Sequence, residues 1–305
     1  MRVLMAGASG LIGRALRRHL LLTGHEVRAL VRHEATTEGE CRWTGRPGSV
    51  PPQAVAWADA VVSLSGAPIA RLVWTKEYRQ RIMSSRVDAT SALAVAIGGS
   101  ARPPAVWVSA SATGWYGNDT RPTGPGGHVE PLTEKAGSGT GLLAAVARGW
   151  EAAALPAASA TRLVRVRTGV VLAAQGGLLP PLITMAKAGL GGRFGTGRQY
   201  WPWISLQDEV RAWGFALERE SLSGPVNLVG PSLASAGQIT RSVAGQLGRP
   251  HWLALPSSPL RAVPGGSASE LILASQPIRP AVLQAHGFQF LDQTVDQAIR
   301  AALNP

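Results

Sequence analysis

The sequence has little of what several classes of protein require. Its single cysteine, Cys41, excludes an intramolecular disulfide and a zinc site built from several cysteines. The six histidines fall in no HxH or HExxH spacing, so we predict no metal. No stretch approaches the roughly 20 uninterrupted apolar residues of a membrane span, and the glycines after the first apolar run are typical of a folded strand and loop rather than a cleaved signal. We therefore expect a cytoplasmic protein that does not bind a membrane.

Acidic residues and lysines are also scarce. The chain has 18 Asp+Glu against 30 Lys+Arg, which gives a net charge of +12, and only three of the basic residues are lysines. The arginines are scattered, with no basic tail and no aromatic-plus-basic ribonucleoprotein motif, so we predict no nucleic-acid partner. A solvated basic surface is the simpler interpretation of this charge. Steering of an anionic cofactor or substrate is the alternative.

The chain does have the length and hydrophobicity that a large core needs. Its 305 residues, 45% of them hydrophobic, fit one large domain or two modest ones. Short apolar runs alternate with helical patterns in the first half, which is typical of parallel strands covered on both faces. We predict an α/β fold: a doubly wound parallel (Rossmann) sheet in residues 1–170 and a smaller C-terminal α+β domain in residues 171–305. A strand near residues 225–230 is expected to return to the main sheet.

The individual elements follow from the same patterns. The predicted strands are Arg2–Ala6, Glu26–Val31, Asp59–Leu64, Ala105–Val108, Arg162–Val166 and Pro225–Val229. The predicted helices are Leu11–Leu22, Lys76–Ile97, Leu142–Leu155 and Leu206–Glu218.

A glycine-rich loop follows the first predicted strand. Gly7, Gly10 and Gly13 give the spacing GxxGxxG where the first helix begins, which is the context that dinucleotide binding requires. Gly7 permits a tight turn, Gly10 lets the backbone approach a pyrophosphate, and Gly13 lets the helix pack close to the sheet. A purely structural turn is the alternative. The residues predicted to contact the cofactor here are Gly7, Ser9, Gly10, Leu11, Ile12 and Gly13.

The end of the second predicted strand indicates which dinucleotide is bound. The strand ends in Val31, Arg32 and His33, with no carboxylate before Glu34. An acidic residue here favours the ribose 2′-hydroxyl of NAD, whereas an arginine accommodates the 2′-phosphate of NADP. We therefore predict NADP(H), with Arg32 on the 2′-phosphate and His33 near the adenine. The alternative is that Arg32 is merely exposed and that NAD is bound weakly.

Landmarks along the whole chain are similar to those of one protein family. They are Leu64–Ile69, Trp74–Thr75, Ser85–Val87, Ser109–Gly117, Arg167–Leu172, Gly189–Gly192, Gly195–Gln199, Trp203–Ile204, Gly224–Leu228 and Leu271–Gln276. In this order they resemble an atypical branch of the extended short-chain dehydrogenase/reductases, often labelled epimerase family or SulA-like, with an NAD(P)-binding domain. Residues 252–303 resemble the small C-terminal domain characteristic of that branch. The resemblance implies further cofactor contacts at Ser65, Gly66, Ala67, Arg86 and Ser109.

The chain departs from that superfamily at its catalytic pair. Registering the sequence on Glu151 puts Leu143 and Ala147 where the superfamily has the tyrosine and lysine of Tyr-x-x-x-Lys, and neither can transfer a proton. Ser111 matches the catalytic serine, and Tyr116 is the tyrosine nearest to the same strand end. The resemblance thus implies that Ser111 polarises a substrate carbonyl while Tyr116 or a water supplies the proton. The alternatives are a strand-end cap for Ser111 and a wall of the cofactor pocket for Tyr116.

Three tryptophans, Trp115, Trp201 and Trp203, are predicted to line an apolar substrate pocket; a role in the core is the alternative. We expect an NADP(H)-dependent oxidoreductase, monomeric or homodimeric, that acts on an unknown small carbonyl or alcohol. Epimerisation is less favoured, because it needs a base that removes a hydroxyl proton and returns it. The absent Tyr-x-x-x-Lys pair supports a non-catalytic NADP(H)-binding sensor or regulatory protein as the alternative. A scaffold in cell division has only the family label in its favour.

Overall fold

Strands and helices alternate along the chain from its N-terminus. The structure is a computed structural model that describes residues 1–71, 73–119 and 129–304. The strands are β1 Arg2–Ala6, β2 Glu26–Val31, β3 Glu40–Arg42, β4 Ala60–Ser63, β5 Val106–Ala112, β6 Arg162–Thr168, β7 Val170–Ala173, β8 Gly176–Gly177, β9 Gly192–Phe194, β10 Trp203–Ser205, β11 Gly224–Leu228 and β12 Leu253–Leu255. The α-helices are α1 Leu11–Leu22, α2 Pro52–Trp57, α3 Lys76–Gly98, α4 Leu142–Ala154, α5 Leu179–Lys187, α6 Leu206–Glu218, α7 Ala236–Gln246, α8 Ser257–Arg261, α9 Ala281–Ala285 and α10 Val295–Leu303. Short 3₁₀ turns lie at Thr113–Tyr116 and Leu155–Ala157, and a π-helical turn lies at Ser269–Leu273.

Seven strands form the main sheet, in the order β11-β6-β5-β4-β1-β2-β3, and every pairing in it is parallel. The strand order reverses at β1, which has β2 on one side and β4 on the other. In open α/β sheets, such a reversal leaves a crevice at the carboxyl ends of the strands where ligands bind. The predicted fold class, a doubly wound α/β sheet, is confirmed.

The core lies on both faces of this sheet. Within β1, Val3 and Met5 pack on the face that α1 and α6 cover, while Leu4 and Ala6 pack on the face that α3 covers. All four residues are fully buried, and this two-sided burial explains the unbroken apolar run in the sequence. The packing holds the loop between β1 and α1 at the carboxyl edge of the sheet.

Residues after β6 build most of a second layer. Two small sheets, β10-β7-β8 and β12-β9, surround a third apolar cluster that includes Trp201 and Trp203. Strand β11 pairs with β6 at the edge of the main sheet, as the sequence predicted for this strand. The short strands of this layer and the edge strand β3 were not predicted, because elements of two to four residues carry no usable periodicity.

Two strands of the main sheet extend beyond their predicted ends. Strand β5 continues to Ala112 and β6 to Thr168, and this extension places Ser111 directly opposite Arg167. The polar residues broke the apolar pattern on which the prediction rested, although both are buried. A buried polar network compensates for this burial, as described below.

Candidate dinucleotide site and the adjoining cleft

Three glycines shape the loop between β1 and α1. The packing of the chain requires glycine at two of these positions and leaves room for a side chain at the third. A Cβ atom at Gly13 would lie 2.1 Å from the carbonyl oxygen of Gly7, and one at Gly7 would lie 2.8 Å from the carbonyl carbon of Leu64. Gly7 also has a φ of +85°, which disfavours any other residue. At Gly10 the nearest atom would be 3.6 Å away. Gly10 is exposed, and the packing of the chain leaves room for a side chain there. The close approach of a ligand would explain why this position is nevertheless glycine.

Helix α1 begins at this loop with its positive end free. Its N-cap residue, Gly10, has no capping side chain, and its first turn has no acidic residue. The first amide N–H groups of the helix and its partial positive charge are therefore available to an anion. Ser9 is exposed beside Gly10, while Leu11 and Ile12 are half-buried.

Arg32 and His33 lie exposed immediately after β2. The nearby carboxylate of Glu34 forms an ion pair with Arg42 of β3, and the carbonyl of Glu34 lies 2.8 Å from the Nδ1 atom of His33. Within the described part of the chain, Arg32 forms no ion pair. This end of the sheet therefore presents a cation that has no carboxylate partner, which suits a 2′-phosphate and not the 2′-hydroxyl of NAD.

A second cation without a carboxylate partner lies after β4. The Arg86 guanidinium stacks on Trp150, 4.9 Å from the ring centroid, and donates to the carbonyl of Ile82 at 3.0 Å. Burial lowers the pKa of Arg86 to about 10. A Cβ atom at Gly66 would lie 2.9 Å from the Cζ atom of Arg86, so the guanidinium touches the segment that follows β4. Among the described residues no carboxylate pairs with Arg86, and a group of this kind fits an anionic ligand.

The segment after β4 is itself fixed by α3. The backbone N–H of Ala67 donates to the hydroxyl of Ser85 at 2.9 Å. This bond anchors the segment of Ser65, Gly66 and Ala67 at the helix residue immediately before Arg86. Nine of the predicted cofactor residues, from Gly7 to Gly13 and from Ser65 to Ala67, thus lie at the carboxyl ends of the adjacent strands β1 and β4, on the loops or in the first turn of α1.

A buried polar network occupies the carboxyl ends of β5, β6 and β11. The Ser111 hydroxyl donates to Glu151 Oε1 at 2.8 Å, and Arg167 donates to both oxygens of Glu151, at 2.7 and 3.1 Å. Arg167 also donates to the Tyr116 hydroxyl at 3.0 Å, and Tyr116 donates to Asn227 Oδ1 at 2.7 Å. The hydroxyl protons of Ser111 and Tyr116 are therefore both directed at protein acceptors.

The electrostatics of this network keep Tyr116 protonated. Burial raises the pKa of Tyr116, although the neighbouring Arg167 acts in the opposite direction. Glu151 receives a further bond from Arg165 at 3.1 Å, so two arginines donate to its carboxylate. Trp115 covers the network, with its ring centroid 3.9 Å from the Arg167 guanidinium carbon and its N–H donating to the carbonyl of Ala136.

Helix α4 presents apolar side chains where the superfamily places its proton-transfer pair. Ala147 is buried, and Leu143 packs over the turn that follows β5, where a Cβ atom at Gly114 would lie 3.0 Å from Leu143 Cβ. The first turn of α4 is capped from far along the chain: both oxygens of Glu270 accept backbone N–H bonds, from Leu142 and Leu143, at 2.7 Å each.

A cleft of about 220 Å³ lies between this helix start and the C-terminal segment. One wall comes from the turn after β5 and the start of α4, and the other from α8, the π-helical turn and the residues after it. It is lined by Gly114, Gly117, Asn118, Thr140, Gly141, Leu143, Arg261, Ser269, Glu270, Leu273, Ala274 and Gln276.

Three predicted site residues lie elsewhere. Trp201 and Trp203 are buried in the second layer, with their N–H groups donating to the carbonyls of Ile272 at 3.0 Å and Ser232 at 2.9 Å. The buried Ser109 hydroxyl accepts from Ser63 at 3.2 Å between the strands of the main sheet. None of these three residues lines the cleft, and neither do Ser111, Trp115 and Tyr116.

Sequence reasoning missed the residues that come to the site from far along the chain. Glu270, Arg261 and Gln276 of the cleft lie in a C-terminal region where no periodic pattern marked them. Arg167 lies within the sequence landmark Arg167–Leu172, but the sequence alone predicted no role for its side chain. Only the fold places these residues beside α4.

Metal-binding clusters and membrane-spanning helices are both absent from the described residues. The residues described by the structure contain no group of three or more His, Cys, Asp or Glu side chains that could hold a metal ion. In the same residues, no helix is both long and apolar enough to span a bilayer.

The strand order, the glycine loop and the uncapped helix start define a Rossmann-type dinucleotide-binding protein. The chain belongs to the NAD dependent epimerase/dehydratase family, whose model matches residues 3–230. Residues 255–302 match a domain of unknown function, DUF1731. The resemblance predicted from the sequence landmarks is confirmed.

Similar proteins match this chain along nearly its whole length. An epimerase family protein of Mycobacterium bovis is 39% identical over 97% of this chain and 96% of its own. The crystal structure of the human epimerase family protein SDR39U1 with NADPH has a TM-score of 0.88 at 30% identity and covers 100% of both chains. The crystal structure of a nucleoside-diphosphate sugar epimerase from Corynebacterium glutamicum has a TM-score of 0.81 at 34% identity and covers 99% of this chain and 58% of its own.

Proposed function

We propose that this chain binds NADP(H) and is an oxidoreductase that acts on a small carbonyl or alcohol. The observation that carries the cofactor choice is the position of Arg32, a cation without a carboxylate partner among the described residues, at the end of β2. The human relative that was crystallised with NADPH supports the same choice.

The described residues fit such a dinucleotide along its length. The loop from Gly7 to Gly13 and the start of α1 would hold the pyrophosphate, because Gly10 is open and the helix N–H groups are free. Arg32 and His33 would hold the 2′-phosphate and the adenine end. Arg86 supplies a cation at the segment Ser65–Ala67, which follows β4 on the side of β1 away from β2. A bound NADPH would supply the hydride for reduction of a carbonyl.

In this proposal, the chain must also polarise the substrate oxygen and provide a proton. Ser111 can turn towards a substrate at moderate cost, because Glu151 keeps its bonds from Arg165 and Arg167 when the Ser111 bond is broken. Tyr116 is held more firmly, between Arg167 and Asn227, and its movement would leave Asn227 Oδ1 without this donor. We therefore assign substrate polarisation to Ser111 and favour water in the cleft over Tyr116 as the proton source.

A second candidate function is a non-catalytic NADP(H)-binding sensor. The observation that favours it is the commitment of both hydroxyl protons to protein acceptors beside Leu143 and Ala147, which have no proton to transfer. The two candidates share the same cofactor site and differ only in turnover.

Titration and turnover on one preparation test these proposals. NADPH and NADH are titrated by fluorescence, and equal affinities for the two would overturn the cofactor choice. NADPH oxidation is then followed against a panel of aldehydes and ketones, with a Ser111→Ala variant on every hit. A loss of about 10²- to 10³-fold in kcat/KM is expected for a donor to a developing oxyanion. Tight NADPH binding without oxidation of NADPH by any compound would favour the sensor. A cytoplasmic location and a monomeric or homodimeric state stay predictions.

A further inference from the structure

The cleft beside α4 has features that narrow the class of substrate. We infer that it takes a small molecule with one acidic group, and that Arg261 recognises this group. The inference deepens the proposed function and rests on it, because Gly114 and Gly117 of the cleft belong to the turn that follows Ser111 and to the residue after that turn. It concerns a residue in the region of unknown function and not one of the dinucleotide-binding residues.

The size of the cleft sets the first limit. Pockets for drug-sized ligands usually measure roughly 300–1,000 Å³, and this cleft measures about 220 Å³. A nucleotide sugar, which has two ring systems and a diphosphate besides its base, is larger than such ligands. A molecule of metabolite size with a single functional chain fits the available space.

The charges of the cleft set the second limit. Glu270 and Arg261 are the charged side chains that line it. Both Glu270 oxygens accept N–H bonds from the start of α4, so this carboxylate is held by the positive end of a 13-residue helix. Within the described residues, Arg261 has neither an ion pair nor a side-chain hydrogen bond. The charge left for a ligand is therefore the positive charge of Arg261.

Neutral groups of the same cleft add hydrogen-bond donors. Asn118 uses its Oδ1 atom to accept from the backbone N–H of Ser275, which leaves its NH₂ group for another acceptor. Gln276 donates to the carbonyls of Thr113 and Gly117, at 3.1 and 2.7 Å, and holds one wall of the cleft in place. The Ser269 hydroxyl makes no hydrogen bond within the described residues. A cation with an amide and a hydroxyl donor suits a carboxylate or a phosphate, which accept several hydrogen bonds.

Pairs of ligands that differ in one acidic group measure how much that group contributes to binding. The probes are levulinate against methyl levulinate, and dihydroxyacetone phosphate against dihydroxyacetone, titrated by calorimetry with and without saturating NADP⁺. We expect at least one acid to bind about tenfold or more tightly than its neutral partner, as charge-assisted bonds allow. The pair that responds identifies a carboxylate or a phosphate as the group that is recognised.

Two variants locate the effect. Arg261→Gln should abolish the preference for the acid, whereas Arg249→Gln, which removes the same charge from an exposed position outside the cleft, should retain it. Equal binding within both pairs, no binding of either acid at millimolar concentration, or a preference that survives Arg261→Gln would overturn the inference. NADPH titration of the same proteins reports separately on the proposed function, because failure there is a loss of cofactor binding in the unmodified chain.

Discussion

The hydroxyl of Tyr116 donates to Oδ1 of Asn227 at 2.7 Å, although the two residues are 111 positions apart. Asn227 lies on β11, the edge strand of the main sheet, and Tyr116 lies in the 3₁₀ turn after β5. Asn227 also donates from its side chain to the carbonyl of Arg279 at 3.0 Å, and its backbone N–H donates to Glu134. One buried pair thus ties the turn beside the candidate site to the returning strand and to the C-terminal region.

We expect Tyr116→Phe to act mainly on stability. The change leaves the buried oxygen of Asn227 without a donor and removes an acceptor from Arg167, which should lower the free energy of unfolding by about 1–3 kcal/mol. Urea unfolding measures this loss, and NADPH affinity should stay unchanged. Tyr200→Phe is the matched control, because the Tyr200 hydroxyl makes no hydrogen bond among the described residues. An equal effect of the two changes would argue against the network.

Arg32→Asp tests the cofactor choice. An aspartate would repel the 2′-phosphate that Arg32 is expected to attract, so NADPH affinity should fall by about 1.5–3 kcal/mol, the range of a charge-assisted bond. NADH affinity should stay the same or rise, because the carboxylate can accept from a ribose 2′-hydroxyl. The ratio of the two dissociation constants is the readout. A variant with an unchanged ratio would place the 2′-phosphate elsewhere.

The glycine loop allows a test that separates binding from folding. At Gly10 the nearest atom to a new Cβ would be 3.6 Å away, so Gly10→Val should fold and still block the approach of a pyrophosphate. At Gly13 the corresponding distance is 2.1 Å, to the carbonyl oxygen of Gly7, so even Gly13→Ala should disrupt the packing of α1 on β1. Circular dichroism and NADPH titration on both variants check the contrast. Normal NADPH binding by Gly10→Val would mean that the cofactor does not use this loop.

The burial of Glu209 predicts that the stability of the folded state depends on pH. This buried residue accepts from Thr168 and Trp213, its second oxygen has no partner among the described residues, and burial raises its pKa from 4.5 to about 7. The folded state therefore holds this proton more tightly than the unfolded state does. The stabilisation that protonated Glu209 gives the folded state is complete below pH 4.5 and is lost as the pH rises through about 7. The free energy of unfolding falls by roughly 3 kcal/mol in all over this range.

The variant Glu209→Gln isolates that contribution. Glutamine keeps an oxygen for Thr168 and Trp213 and does not titrate, so its unfolding free energy should fall less steeply than that of the unmodified chain between pH 4.5 and 7. Urea denaturation at several pH values gives both curves. Parallel curves would mean that Glu209 does not bind a proton in this range.

The parts of the fold that could be predicted are those in which local pattern and burial agree. Helix α1 and strands β1 and β2 have their predicted bounds, because each shows its period without interruption. Strand β5 was predicted to end at Val108, since Ser109 and Ser111 look like the start of a loop. Both serines are buried because partners on other elements, Ser63 and Glu151, satisfy their hydroxyls.

The candidate site likewise has one part that the sequence predicts and another that it does not. The phosphate-binding loop lies within seven consecutive residues, so its glycine spacing alone carries the prediction. The network around Arg167 joins residues from β5, α4, β6 and β11, and no local pattern reports such pairings. Trp201 and Trp203 illustrate the opposite case: aromatic residues close together in the sequence suggested a pocket, and the structure buries both in the second layer.

The cap that Glu270 places on α4 has a consequence for how this chain is made. The carboxylate is synthesised 128 residues after the first N–H group that it receives. At about 5–20 residues per second, a ribosome delivers it on the order of ten seconds after Leu142. Until then the wall of the cleft formed by α4 has no carboxylate at its positive end. A truncated mRNA that ends before the codons of residues 255–302 would therefore yield a dinucleotide-binding region in which the N-terminus of α4 lacks the Glu270 carboxylate.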